Sequence, residues 1–194
     1  MTEASALRFY ADSGLLRPAE VDPASGYRCY SADQVARATA LRRTSLIASV
    51  IAKVEGADPA RAAFLAVRHD TGETRTGDVN HLGKKYTESE ADPRDIVADQ
   101  VAAFPEGLAQ VVTEVIAEYE AKESPEAVCA RDADKLECML QGIEYRAQGY
   151  ENAQRWIDNS RGRIVTKAGQ ALADAVLKTG SLDWLRAALG ETQR

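Results

Sequence analysis

The sequence predicts an all-α fold, and three observations carry that expectation. Beyond residue 30, apolar residues recur three and four apart, the spacing of one helix face. The runs are bounded by helix-start and helix-stop residues, such as Ser124-Pro125 before one run and Gly149 after it. No alternating strand pattern of any length follows residue 30.

Residues 2–13 read as a short helix with Thr2 as its N-cap. The stretch GLLRPAEVDPASGYRCY (14–30) breaks that pattern. Its prolines, glycines and central DPASG turn, set between short β-prone pieces, predict a small hairpin or wing. Ser31 and Gln34 then form a capping box, and a helix is expected from there to about Val54. EGADP (55–59) interrupts it, with Pro59 suited to the first position of the next helix. PARAAFLAVRHD gives an amphipathic helix ending near Asp70. Residues 71–91 are polar and rich in Gly and Thr, and are expected to form a loop of the kind that borders sites.

DPRDIVADQVAAF and PEGLAQVVTEVIAEYEAK follow as helices. In the second, Leu108, Val111, Val112, Val115, Ile116 and Tyr119 fall on one face. SPEAVCARDADKLECMLQGIEYRAQG forms a longer helix, and two more cover about 150–160 and 164–189. Trp156 and Trp184 are expected to anchor the C-terminal helices in the core.

A chain of 194 residues has room for one good-sized domain, or for one domain and a small appendage. A net charge of −6 argues against a nucleic-acid or membrane footprint over the whole chain, while leaving room for a local basic face. No apolar stretch reaches the roughly 20 residues of a membrane span, and MTEASALRFY lacks the basic-then-apolar signal-peptide pattern. A cytoplasmic protein with no membrane partner is expected. Cys29, Cys129 and Cys138 are odd in number and lack zinc spacing, which argues against a disulfide framework or a zinc site. Cys138 lies in an apolar helical pattern and is expected to be a small core residue.

The candidate chemistry begins at AVRHDTGETRTGD (66–78), where one of only two histidines precedes a carboxylate. A divalent metal takes imidazole and carboxylate ligands. Adjacent residues can face one ion only where the helix loosens, and a helix end followed by Gly72 permits that. ARDADKLECML (130–140) supplies a distant carboxylate, Asp134, in an otherwise apolar pattern with Ala130, Leu136 and Cys138. A core-facing carboxylate needs a partner, which is either a metal or a buried Arg or Lys. His81, in DVNHLGKKY, reads as a surface residue of the polar loop.

EGADPARAAFLAVRHDTGETRTGDVNHLGKKY, followed by EYEAKESPEAVCARDADKLECMLQGIEY, resembles the HD-domain metal-dependent phosphohydrolases, closest to the 5′-deoxynucleotidase-like subgroup. The resemblance covers about residues 44–190. The motifs that carry it are the His-Asp doublet, the G-E-x-x-T-G-D run and the D-x-D-K-L-E helix. It implies an HD-type helical bundle, with His69, Asp70 and Asp134 at metal-ligand positions. Glu73 matches the acid that helps activate the attacking water, and Asp78 matches a substrate-side position. The implied cofactor is a divalent cation of the Mn, Co or Mg class, and the implied substrate is a phosphate monoester such as a nucleoside 5′-monophosphate. The family uses a further His ligand on an earlier helix, which falls near Ala40 in this chain, so impaired activity is expected. Lys84, Lys85, Arg75 and Lys135 are candidates for phosphate contact.

ALRFYADSGLLRPAEVDPASGYRCYSADQVARATALRR (6–43) resembles the DNA-binding end of MerR-type regulators. The features that match are L-R-F-Y, G-L-L-R-P, D-P-x-S-G-Y-R and Y-S-x-x-Q-V. The resemblance implies duplex contact, mainly with phosphates, through Arg8, Tyr10, Tyr27 and Arg28. The six arginines and five acids of 1–43 make a weak electrostatic footprint for binding DNA unaided. The expected layout is therefore a partial MerR-like helix and wing at 1–43, followed by an HD domain at 44–194. Both families commonly dimerise, so a homodimer is expected. The leading functional expectation is a metal-dependent phosphohydrolase. The alternatives are a DNA-binding regulator that uses the HD domain as a ligand sensor, and a non-catalytic helical interaction module.

Overall fold

The computed structural model describes residues 19–24, 28–29, 31–77, 86, 91–179 and 189–190, without the side chains of 28–29, 32–34 and 36–37. The helix expected over 2–13, His81 and Trp184 lie outside the described residues. Two short strands flank the DPASG stretch, in keeping with the expected wing. Strands β1 (Glu20–Val21) and β2 (Arg28–Cys29) pair antiparallel, with Glu20 opposite Cys29 and Val21 opposite Arg28. Asp22 Oδ1 accepts the Ala24 N–H at 2.8 Å, a side-chain turn that starts the reversal. All other regular structure among the described residues is helical.

Helix α1 (Ala32–Glu55) ends at Gly56, whose φ of 78° only glycine adopts without strain. Its buried face carries Thr44, Ala48, Ile51 and Ala52. Leu46, Val50 and Val54, spaced by four, are exposed on another face. Helix α2 (Pro59–Arg68) starts with Asp58 Oδ1 accepting the Ala60 N–H at 2.8 Å. The chain divides into two compact units, Met1–Arg43 with Val67–Glu120, and Thr44–Ala66 with Ala121–Arg194.

In the first unit the segment expected to be a loop contains one helical turn, α3 (Glu73–Thr76). Four residues are too few for a periodic apolar pattern to register, so the sequence concealed it. Helix α4 (Pro93–Val101) is capped by Asp92, whose side chain accepts the Arg94 N–H at 2.8 Å. Helix α5 (Glu106–Ala121) packs Val112 and Ile116 against Val97 and Val101. Leu108 and Val111, expected on the same face, are exposed. Val111 sits roughly 40° outside the edge of the buried arc at 100° per residue. Leu108 aligns with the arc but belongs to the first turn of the helix, away from the turns that carry the buried residues.

In the second unit, α6 (Pro125–Ala147) begins as predicted, with Ser124 accepting the Ala127 N–H at 3.1 Å. Gly149, at φ 98°, follows its end. Helices α7 (Ala153–Arg161) and α8 (Lys167–Thr179) follow. Gly142 allows α6 and α7 to approach closely, since a Cβ there would lie 2.9 Å from Ile157 Cγ1. Leu136, Met139, Ile157, Ile164 and Ala173 are buried in this unit.

Two expectations need correcting. Trp156 is 49% exposed and does not anchor the core. It lies at the edge of the Ala153/Ile157/Ser160 face and stacks on Tyr145 with a 3° interplanar angle. Cys138 is only partly buried, whereas Cys129 is buried. The half-turn of α6 that carries Asp134 and Cys138 does not turn fully inward.

Candidate functional site

The structure brings His69 and Asp70 together. Consecutive residues diverge by about 100° within a regular helix, so such a pair cannot face one point there. Helix α2 stops at Arg68, and Thr71 donates to Arg68 O through both its N–H (2.9 Å) and its hydroxyl (2.6 Å). The resulting turn sets His69 Nε2 2.9 Å from Asp70 Oδ1. The His69 side chain is 8% exposed and its ring packs against Tyr119, with centroids 5.2 Å apart. Burial lowers the basicity of the neighbouring Arg68 guanidinium through desolvation.

Glu73 opens α3, three residues beyond Asp70, and its N–H donates to Asp70 O at 3.1 Å. Gly77, at φ 74°, closes that turn with its N–H on Glu73 O at 2.8 Å. Gln100 of α4 reaches across to the same turn. Its Nε2 donates to Thr71 O at 3.0 Å and to Thr74 Oγ1 at 2.7 Å. Arg75 lies 3.9 Å from Asp99 on the surface.

Asp134 belongs to α6 in the second unit. Its Oδ2 lies 2.6 Å from Lys135 Nζ, and Cys138 Sγ lies 3.9 Å from its Oδ1. Lys135 is thus one partner of this carboxylate. The deeply buried carboxylate of the D-x-D pair is Asp132, which is 2% exposed. Asp132 accepts the Val165 N–H at 3.1 and 3.2 Å and the Thr166 N–H at 2.7 Å, satisfying the start of α8. Sequence reasoning placed the core-facing acid two residues too late. Asp132 lies a turn from Cys129 and Leu136 on the buried face, and that spacing was the available signal. Tyr119 and Gln100 were also missed as neighbours of the site.

Asp132, together with Glu55 and Glu126, also acts on Cys129. Burial first, and then these three acids, push the Cys129 thiol up to about 11. Because the folded value lies above the ordinary one, the neutral thiol favours folding at neutral pH, and this contribution is lost as pH rises between about 9 and 11. Maleimide at pH 8 is therefore expected to label Cys138 in the native protein and to spare Cys129 until the chain unfolds. Peptide mass mapping before and after denaturation checks this.

Arg8, Tyr10, Tyr27 and Asp78 lie outside the described residues, as do Lys84 and Lys85. Arg28 is described only as backbone in β2. Among the described residues, no group of three or more His, Cys, Asp or Glu side chains is gathered so as to hold a metal ion. The His69–Asp70 pair suits a divalent cation in donor chemistry but supplies only two donors, where protein metal sites commonly use three or more. No helix among the described residues is long and apolar enough to cross a membrane.

A search of curated proteins finds no match. Solved structures share the fold, two of them as follows. A conserved hypothetical protein from Pyrococcus furiosus aligns with a TM-score of 0.59 and 19% identity over 91% of this chain and 96% of its own. A genomics-target crystal structure aligns with a TM-score of 0.56 and 20% identity over 95% of each chain. The MerR helix-turn-helix regulatory family model matches residues 2–44, the span of the wing and the first part of α1. The HD-domain model matches residues 42–176, which takes in His69, Asp70, Glu73 and Asp134 and most of the chain. The HD-domain match thus spans the doublet at the end of α2, and the chain belongs to the HD-domain family, a family of metal-dependent phosphohydrolases, with a MerR-type segment before it.

Proposed function

We propose that this chain is a phosphohydrolase of phosphate monoesters, acting on a nucleoside 5′-monophosphate and impaired by the lack of a histidine at Ala40. The observation that carries this reading is the buried His69 held 2.9 Å from Asp70 within the HD match. In this reading Glu73 takes the proton of the attacking water, and its place at the start of α3 supports it there. His69, Asp70 and Asp134 are assigned to a divalent cation, with Asp78 on the substrate side. The Lys135 ammonium beside Asp134 competes with any cation for that carboxylate, a second reason to expect weak binding. Leu46, Val50 and Val54, exposed at helical spacing, support a homodimer, to be measured by scattering at tens of micromolar.

The test is phosphate release from nucleoside 5′-monophosphates with added Mn²⁺, Co²⁺ or Mg²⁺, alongside metal titration. The parent should bind metal weakly and hydrolyse slowly. Ala40→His should raise both affinity and rate, roughly ten-fold or more for a regained ligand. Asp134→Ala should abolish turnover. Parent activity that is indifferent to Asp134→Ala would sink the reading.

A second reading, a DNA-binding regulator with the HD domain as ligand sensor, is favoured by one observation. The two family matches overlap inside the single helix α1. A low-salt gel shift that is lost in Arg8→Ala, in a protein without phosphatase activity even as Ala40→His, would favour it over the first.

A further inference from the structure

Gln100 lies 22 residues beyond the TRTGD run, on a helix that carries none of the residues assigned to the site. Nevertheless its side chain spends both amide hydrogens on one turn. One goes to Thr71 O at 3.0 Å and the other to Thr74 Oγ1 at 2.7 Å. The identity of the amide nitrogen follows from chemistry, because Thr71 O can only accept. Thr74 Oγ1 in turn donates its own proton to Thr71 O at 2.9 Å, so all three groups form one closed cluster.

The other end of the same amide shows what this arrangement costs. Gln100 Oε1 is buried and has no hydrogen-bond partner among the described residues. A buried unpaired carbonyl costs about 1–3 kcal/mol, which methionine or leucine would avoid while filling similar space. Glutamine at this position is therefore explained by its two donors and not by its bulk. Those donors clasp residues 71 and 74, on either side of Glu73. Backbone bonds also hold the turn, with Thr74 N–H on Thr71 O at 3.3 Å, Arg75 N–H on Gly72 O at 3.0 Å and Gly77 N–H on Glu73 O at 2.8 Å. Such a short element, exposed at Thr74 through Gly77, opens readily without a side-chain tether.

We propose that Gln100 is a positioning residue that clamps the Thr71–Thr74 turn and thereby fixes Glu73 relative to the His69–Asp70 pair. Its importance for turnover rests on the proposed role of Glu73, whereas the clamp itself does not. Gln100→Met keeps length and volume but removes both donors. Thr74→Val removes the acceptor at the far end.

In amide hydrogen exchange, Gln100→Met should speed exchange at Thr74, Arg75 and Gly77 at least ten-fold while leaving amides in the middle of α6 unchanged. Thr74→Val should do much the same, and the double variant should add little, because both remove one clamp. In phosphate release, measured in the Ala40→His background if the parent is too slow, Gln100→Met should lower kcat several-fold with KM nearly unchanged. A role in general stability would instead speed exchange in both units and leave the kcat-to-KM balance unmoved. Unchanged exchange at 74–77 in Gln100→Met overturns the clamp whatever the activity. Faster exchange with kcat intact overturns the positioning role. Absence of hydrolysis in every background removes the enzymatic reading, and with it the positioning role, while the exchange result still decides the clamp.

Discussion

Asp132→Ala should cost the protein on the order of 3–5 kcal/mol, the largest loss expected from any single carboxylate in the second unit. The carboxylate is 2% exposed and accepts the N–H groups of Val165 and Thr166, which precede α8. Hydrogen bonds to a charged acceptor contribute about 1.5–3 kcal/mol each, and their removal strands two backbone donors. The alanine also leaves a small cavity beneath them. At roughly 2–4 °C per kcal/mol for a chain of this size, the melting midpoint should fall by about 10 °C or more. Asp132→Asn retains one acceptor oxygen and should lose less than half as much. Chemical denaturation of the three proteins measures this, and an alanine variant within 1 kcal/mol of the parent would show that the α8 start does not depend on Asp132.

Gly169→Ala should be destabilising by about 2 kcal/mol or more, although alanine is the better helix former by about 1 kcal/mol. A Cβ at residue 169 would lie 2.7 Å from Thr166 Oγ1, 2.8 Å from Ile164 Cγ2 and 2.9 Å from Asp132 Oδ2. None of the three can yield cheaply. Thr166 Oγ1 accepts the Gly169 N–H, Ile164 is buried, and Asp132 is pinned by two amides. Gly107→Ala on α5 is the control, since a Cβ there meets nothing within 4 Å, and it should be neutral or slightly stabilising. Gly169→Ala and Asp132→Ala should also be less than additive, because the second removes part of the obstruction met by the first. Denaturation midpoints of the three single variants and the double variant decide it, and equal effects at 107 and 169 would contradict the packing.

Local signals in the sequence were reliable wherever the determining contact lies within a few residues. The wing around DPASG, the Ser124-Pro125 start of α6, the Gly149 stop and the span of α1 all depend on turn and cap chemistry of that kind. The His69–Asp70 pair was legible for the same reason, as a doublet at a helix end before a glycine. The rest depends on partners distant in the chain. Asp132 and Asp134 are two residues apart, about 200° around a helix, and only the amides some 33 residues later show which one is buried. Gln100 has no local mark at all, because its partners lie 26 and 29 residues earlier. Trp156 is exposed because the inward positions of α7 go to Ala153, Ile157 and Ser160. Large apolar residues go inside only when the helix face they occupy does.

The 24-residue helix α1 carries residues of both family matches without a break at residues 42–44. Such a join has a phase as well as a position. Inserting one residue at the seam would turn everything upstream by about 100° about the helix axis, whereas seven residues would return it to within about 20°. The same rule governs domain-exchange engineering here. A foreign N-terminal module grafted at this seam should be accepted in steps of three, four or seven residues and rejected between them. A truncation placed at the seam would cut the helix near its middle, so a clean boundary for an isolated HD domain must start at or before the helix N-terminus, near Ser31.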